Sequence, residues 1–236
     1  MLSKSQIKLI NSLSQKKFRT QQQLFVVEGV KGVNEFLKSE FKLHQLFTTE
    51  AIFDCEHTLI TDAELKKISS LKSPNTVLAI FHIPEVQPVD SSGLVVALDD
   101  VRDPGNLGTI IRLCDWFGIK NLVCSLATVD CYNTKVIQAT MGSLTRVTIN
   151  YLDLETYLKS NPNPKMGTFM DGDNVYQTAL PKQGVLVMGN EGNGISKVIE
   201  NCITTRVSIP RFGNLQAAES LNVATATAIF LSELKR

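Results

Sequence analysis

Apolar residues recur along the chain with two periods, and the change from one to the other marks out the elements. Ile7, Ile10 and Leu13 follow at three-residue steps, the spacing of a helical face, whereas residues 24–27 form a short apolar strand. After Gly29, Val33, Phe36 and Leu37 return to helical spacing. Short strands are expected at residues 46–48, 59–60 and 77–81, with a helix over residues 63–71 between the last two. This alternation describes a compact α/β module.

Residues 83–93 carry Pro84, Pro88 and the cluster Asp90-Ser91-Ser92-Gly93, a composition that turns the chain and resists regular structure. The expected division is therefore a first domain over residues 1–83, a linker over 84–93 and a second domain over 94–236. From Leu94 the pattern is bolder. Residues 94–98 are a continuous apolar run, as in a parallel strand covered on both faces. Leu107, Ile110, Ile111, Cys114 and Phe117 then repeat at three and four, so a helix is expected from near Leu107, with Gly118 as its C′ residue. Residues 122–124, 185–188 and 207–209 read as further buried strands, and strands alternating with helices imply an α/β domain with a largely parallel sheet. Near the C-terminus the pattern is ambiguous. Val223, Thr225, Thr227 and Ile229 alternate with alanines as a strand would, while Ala224, Ala226 and Ala228 permit close approach of another backbone.

Composition alters this picture only in places. With 43% hydrophobic and 20% charged residues in 236, the chain has enough apolar material for proper cores. A net charge of +1 lacks the bulk excess of a general phosphate binder. The distribution is uneven, however: Lys4, Lys8, Lys16, Lys17 and Arg19 precede the first acid, Glu28. That stretch is either a positive field for phosphates or a solvated N-terminal segment. The five cysteines include no Cys-x-x-Cys pair, and no histidine stands at zinc-ligand spacing, so a reduced cytoplasmic protein without metal is expected. No signal-peptide core and no apolar run of the ~18 residues that a membrane span needs is present, which predicts a soluble protein without a membrane partner.

Candidate chemistry gathers in three loops. The first, Asp99-Asp100-Val101-Arg102-Asp103-Pro104-Gly105-Asn106, leaves the end of a buried strand, where ligands of open α/β sheets collect. Asn106 reads either as a helix N-cap or as a functional amide. Arg112 interrupts an apolar face between Ile111 and Leu113, where a charge needs a partner or a role. The second loop, Gly189-Asn190-Glu191-Gly192-Asn193-Gly194, follows the strand at 185–188. It has neither the Lys-Ser/Thr of a Walker loop nor the dinucleotide glycine spacing, and Glu191 at its centre repels phosphate. A neutral or cationic ligand close to the glycine backbone suits it better, with a purely structural tight turn as the alternative. The third contains Ile209-Pro210-Arg211-Phe212-Gly213 and, after a short insertion, Glu219-Ser220-Leu221-Asn222-Val223.

These loops, in this order, resemble the three motifs of the SpoU/TrmH branch of the SPOUT methyltransferases. The match takes in Asp103 to Gly108 with Arg112 and Phe117-Gly118, then Met188 to Gly192 with Gly194, then Ile209-Pro210 with Ser220 to Val223. Residues 128–142 also look like the family. The N-terminal half is more loosely similar to its substrate-binding domain, through Lys16-Lys17, Arg19 and Val27-Glu28-Gly29. The resemblance implies a helix after Asn222, a deep trefoil knot and a homodimer that assembles the active site. It implies S-adenosylmethionine (SAM) as methyl donor, with S-adenosylhomocysteine as product, held by Met188, Gly189, Asn190, Gly192, Ile209, Pro210 and Leu221. Asn106, Arg112, Glu191, Ser220 and Asn222 match the catalytic positions, and the reaction is methylation of a ribose 2′-hydroxyl in rRNA or tRNA. Leu113, Cys114 and Trp116 depart from the small or hydroxylated residues usual there, and residues 214–218 lengthen the third loop.

The three histidines, His44, His57 and His82, lie away from every motif, so a histidine base is not expected. A guanidinium practically never deprotonates. Arg112 is therefore expected to bind a phosphate or hydroxyl oxygen and stabilise alkoxide charge while Ser220 or a water relays the proton. Glu191 and Asn106 orient the others, and Asn222 fixes the third loop. RNA recognition is expected from Lys16, Lys17 and Arg19. Two alternatives stand beside this reading: a catalytically inactive RNA-binding or ribosome-assembly protein, and a base methyltransferase of the same superfamily.

Overall fold

The computed structural model describes residues 2–213 and 220–236. Two compact units are present. One comprises residues up to Glu85 together with Asp130–Thr145, and the other Val86–Val129 together with Arg146–Arg236.

The first unit begins with helices α1 (Lys4–Ser12) and α2 (Lys16–Gln22), followed by strand β1 (Leu24–Glu28), α3 (Val30–Leu37), β2 (Leu43–Thr48), β3 (Thr58–Leu59), α4 (Asp62–Ile68) and β4 (Val77–His82). The strands form one sheet in the order β1-β4-β2-β3. β4 is antiparallel to β1 and β2, and β3 is parallel to β2. Strand alternation sends Leu24, Val26, Leu78 and Ile80 into a cluster with Ile10 of α1, its C-cap Leu13, and Leu65 and Ile68 of α4. Phe25 and Phe81 join Phe36 of α3 in an aromatic cluster with centroids 5.3–6.1 Å apart. Each strand residue thus has a covered face, which is why β1 reads as an unbroken apolar run.

The second unit contains β5 (Leu94–Leu98), α5 (Pro104–Trp116) and β6 (Asn121–Ser125). The chain then contributes α6 (Thr134–Thr140) and a 3-10 turn (Ser143–Thr145) to the first unit before continuing as β7 (Thr148–Leu152), α7 (Leu154–Ser160), β8 (Lys165–Asn174), β9 (Gly184–Met188), α8 (Lys197–Glu200), β10 (Thr205–Ser208) and α9 (Val223–Leu234). The six strands, ordered β10-β8-β9-β5-β6-β7, are parallel throughout, as the buried apolar runs predicted. α7 and α8 cover one cluster, in which Leu154, Leu158 and Ile199 meet Val95, Ala97, Val185 and Val187. A wide register shift between β8 and β10 is closed at Gly172, where a Cβ would lie 2.6 Å from the carbonyl carbon of Val207, so only glycine fits.

The boundaries differ from the expected division at two places. Residues 86–93, read as a linker, are part of the second unit: Val89 packs on its core, and Asp90 N donates to Asn121 Oδ1 at 3.3 Å. Asp130–Thr145, expected within the second domain, belongs to the first. Tyr132 packs on Phe25 with centroids 4.7 Å apart, and Gln138 Nε2 donates to the Glu28 carbonyl at 3.0 Å. Nothing in local periodicity marks this exchange, because it is set by partners a hundred residues away. Gly118 takes φ +67 as the C′ residue of α5, as anticipated. The ambiguous C-terminal segment is helical. Asn222 caps it by accepting from the Ala224 and Thr225 amides at 3.0 and 3.3 Å, and Val223, Thr227, Phe230, Leu231 and Leu234 form its buried stripe. Among the described residues no helix is long and apolar enough to cross a membrane.

Candidate active site

β5 and β9 are neighbours in register, Leu98 opposite Met188, so the first and second loops leave the sheet side by side at the carboxyl ends of their strands. Asp99 N donates to Met188 O at 2.9 Å at the point of departure. Buried Asp99 then accepts from Ser196 N at 2.7 Å, joining the first loop to the far end of the second. Asp100 adopts φ +60, with its carbonyl accepting from Asn190 Nδ2 at 2.7 Å.

The start of α5 lies earlier than Leu107. Asp103 is the N-cap, accepting from Asn106 N at 2.8 Å, and Pro104 occupies the first helical position, where its missing amide costs nothing. The capping alternative for Asn106 is therefore excluded, and its side chain is available for other bonds. The Asp-Pro pair carried this signal in the sequence.

The second loop is closed by Asn190 and Gly194, which exchange backbone bonds of 2.9 and 3.0 Å. Asn190 Oδ1 accepts from Gly192 N and Asn193 N at 3.0 and 3.1 Å. A Cβ at Gly189 would stand 2.2 Å from the Gly194 carbonyl carbon, and Gly194 itself takes φ +67. The glycine at 189 is thus required by closure of the loop on itself. Close approach of a ligand, the reason inferred from the sequence, is not what demands it. Both the side chain and the backbone of Asn190 are therefore committed to closing the loop and tying it to Asp100.

Glu191 projects from this loop to the first. Its carboxylate accepts from Asn106 Nδ2 at 3.0 Å, Asp103 N at 3.3 Å and Arg102 N at 3.4 Å. Partial burial pushes the Glu191 carboxyl upward. The Asn106 side chain, its own backbone and the amides of Asp103 and Arg102 outweigh that and hold it below the ordinary glutamate value. Asn106 Oδ1 in turn accepts from Asn222 Nδ2 at 2.8 Å. One chain of bonds, Glu191 to Asn106 to Asn222, therefore ties together all three loops and fixes both ends of the Asn106 amide.

Arg112 and Ser220 stand outside this chain. Both are exposed, and neither forms a hydrogen bond with a described residue. The burial argument for Arg112 is overturned: the helix buries Leu107, Ile110, Ile111 and Cys114, whereas Arg112 shares an exposed stripe with Gly105, Thr109 and Trp116. Six residues beyond Asn106, it is about 9 Å along the axis and about 120° around it. Trp116 is 84% exposed. Beside the third loop, Met170, Ile209, Pro210 and Arg211 line an open recess of about 270 Å³, and Phe212 and Leu221 are also bare. Met188 is buried, and its carbonyl accepts from Asp99 N. The lengthened segment at residues 214–218, with Glu219, lies outside the described residues. Among the described residues no group of three or more His, Cys, Asp or Glu could hold a metal ion.

In the first unit Lys16 and Lys17 are exposed at the start of α2, but Arg19 requires a correction. It is 2% exposed, with Nε and Nη2 on Asp130 Oδ2 at 2.9 and 2.5 Å and Nη1 on the carbonyls of Leu13 and Ser14, both at 2.9 Å. Four of its five N–H donors are met internally and the side chain is sealed from solvent, so it is a structural cation and not an RNA contact.

Residues 93–232, which include all three loops, match the SpoU rRNA Methylase family. The chain belongs to this family. Within the SpoU rRNA methylases it is 30% identical to the 23S rRNA (guanosine(2553)-2'-O)-methyltransferase RlmP of Bacillus subtilis (strain 168), over 94% of this chain and 93% of the relative. A solved TrmH-family protein from Porphyromonas gingivalis superposes with TM-score 0.91 at 38% identity, covering 99% of this chain and 98% of the other. The AdoMet-bound rRNA methyltransferase from Sinorhizobium meliloti superposes with TM-score 0.87 at 28% identity, covering 100% and 96%. Residues 4–79 match the MRM3-like substrate binding domain, the more loosely similar half of the sequence.

Proposed function

We infer that this SpoU-family chain is a SAM-dependent enzyme that methylates a ribose 2′-hydroxyl in RNA, with rRNA favoured over tRNA by the name of its Bacillus relative. The observation that carries this reading is the Glu191-Asn106-Asn222 chain, which brings the three family motifs to one place.

The residues present fit the methyl donor. The recess is lined by Met170, Ile209 and Pro210 with Arg211, exposed Phe212 and Leu221 belong to the same third loop, and Met188, Gly189, Asn190 and Gly192 are the second-loop positions that the family resemblance assigns to the donor. When bound, SAM supplies an electrophilic methyl group on a sulfonium. Asn106, locked at both ends of its amide, positions the first loop without reorganisation. Amide donors hold the Glu191 carboxyl below the ordinary glutamate value, which makes it a weak base suited to anchoring Asn106. Arg112 binds a phosphate or hydroxyl oxygen of the nucleotide and stabilises developing alkoxide charge, with Ser220 or a water relaying the proton.

Arg112 reaches this chemistry in a homodimer. Its stripe on α5, with bare Trp116, is the face that a second copy covers, so that the guanidinium of one protomer serves the Asn106 cluster of its partner. A trefoil knot in the second unit is part of this reading, and the first unit grips RNA through Lys16 and Lys17, in the cytoplasm where ribosomes are assembled.

The test is transfer of radiolabelled methyl from SAM to undermethylated rRNA, followed by alkaline hydrolysis. Label is expected in alkali-resistant dinucleotides. Label in base-modified mononucleotides would refute ribose methylation, and donor binding in calorimetry with no transfer would favour the inactive RNA-binding protein. Mixing Arg112→Ala with Asn106→Ala protomers should restore part of the activity if the site is assembled between copies; no restoration would place both residues in one protomer's site.

A further inference from the structure

The first unit contains a recess that neither the catalytic loops nor Lys16 and Lys17 explain. About 170 Å³ in volume, it is walled by Val27 of β1, Phe36 of α3, Ile137 of α6 and the exposed, left-handed Met141. Exposed Asn75 and Lys31 stand at its mouth, and no described residue bonds to either side chain. Glu28 borders the recess but turns away from it. Its carboxylate accepts from Ser69 Oγ, from Ser70 N at 3.0 Å and from Ser70 Oγ at 2.5 Å, and its carbonyl from Gln138.

Size and lining select the occupant. Pockets that enclose a whole drug-sized ligand measure ~300–1,000 Å³, so this one takes a fragment such as a single heteroaromatic ring. Aliphatic walls and a polarisable thioether suit the faces of a base, and an amide at the mouth suits its hydrogen-bonding edge. The lone ammonium of Lys31 suits the phosphate that accompanies a base and would have no counterpart on an apolar peptide. Gly29, which also borders the recess, gives α3 no capping side chain for its first amides. We propose that this recess receives one unstacked base of the RNA substrate, with the adjoining phosphate at Lys31. The proposal rests on the reading of the chain as an RNA methyltransferase and locates recognition in α3, α6 and Asn75, beyond the lysines of α2.

The test uses the full chain and a fluorescein-labelled uridine dodecamer containing one 4-thiouridine. Val30→Trp fills the recess and Lys31→Glu reverses its charge. Met141→Asn, at a left-handed position that asparagine tolerates, strips one wall should the tryptophan prevent folding. At least tenfold weaker RNA binding is expected for each variant, with SAM affinity unchanged. The salt slope should fall by about one for Lys31→Glu and stay constant for the other two. Photo-crosslinks are expected in peptides spanning residues 27–36 or 137–142. Unaltered RNA affinity in Lys31→Glu and in a folded wall variant, or crosslinks confined to other peptides, would overturn the proposal while leaving methyl transfer intact. If the parent protein transfers no methyl group to rRNA and binds no RNA, the functional reading fails and the recess proposal with it.

Discussion

Two arginines that look equally functional in the sequence live in opposite surroundings. Around Arg19, in the first unit, Asp130 and two carbonyls satisfy the guanidinium and the side chain is sealed from solvent. Around Arg112, in the second, the helix faces solvent and no described group answers the charge. A buried cation held by an acid and two carbonyls ties a fold together, whereas one on an exposed helix face has its bonding capacity uncommitted.

The largest expected effect follows from Arg112. Arg112→Ala should reduce methyl transfer about 100-fold or more, the scale of losing one stabiliser of transition-state charge, with thermal stability unchanged. Arg112→Lys should recover little, and full activity in the lysine variant at every pH would refute the assignment. Arg19→Ala should invert this profile. Stranding Asp130 is expected to cost about 3–5 kcal/mol of unfolding free energy in a denaturant titration, while the folded fraction keeps its RNA affinity. Loss of RNA affinity with stability intact would return Arg19 to the RNA-contact role.

A smaller effect separates anchoring from proton transfer at Glu191. Its folded value is lowered, so its contribution to stability is fully present above the unfolded glutamate value of ~4.3 and is lost as pH falls through the folded one. Glu191→Gln should remove that part of the acid dependence of the melting temperature and lower kcat without moving the alkaline limb of the rate profile. A displaced alkaline limb would make Glu191 a proton acceptor. The smallest effect belongs to Lys16 and Lys17. Their joint replacement by alanine should weaken RNA binding only a few-fold and lower the salt slope by up to about two, and an unchanged slope would show that α2 does not meet phosphate.

Much of the site was legible because its chemistry is local. Loops at strand ends and the glycines around Glu191 stand next to the elements that position them, whereas the Asn222 cap emerged only with the helix it starts. Asn106 was legible only as a choice between cap and functional amide. Deciding it required Asp103 in the capping position and Glu191, eighty-five residues on, at its amide. Arg112 was noticed for the wrong reason, since interruption of an apolar run does not fix which way a helical residue points. The glycine at 189 was correctly singled out, but its cause, collision with Gly194, belongs to a loop shape invisible in composition.

By itself the sequence determined the alternation of strands and helices, the parallel sheet and the motif residues, because periodicity, capping and turn chemistry act over a few residues. Only the tertiary structure decided that Asp130–Thr145 joins the first unit, that Arg19 is sealed and Arg112 bare, and that Glu191, Asn106 and Asn222 share one chain of bonds. Burial and hydrogen-bond satisfaction depend on what the folded chain brings alongside each group, and residues distant in sequence supply those partners.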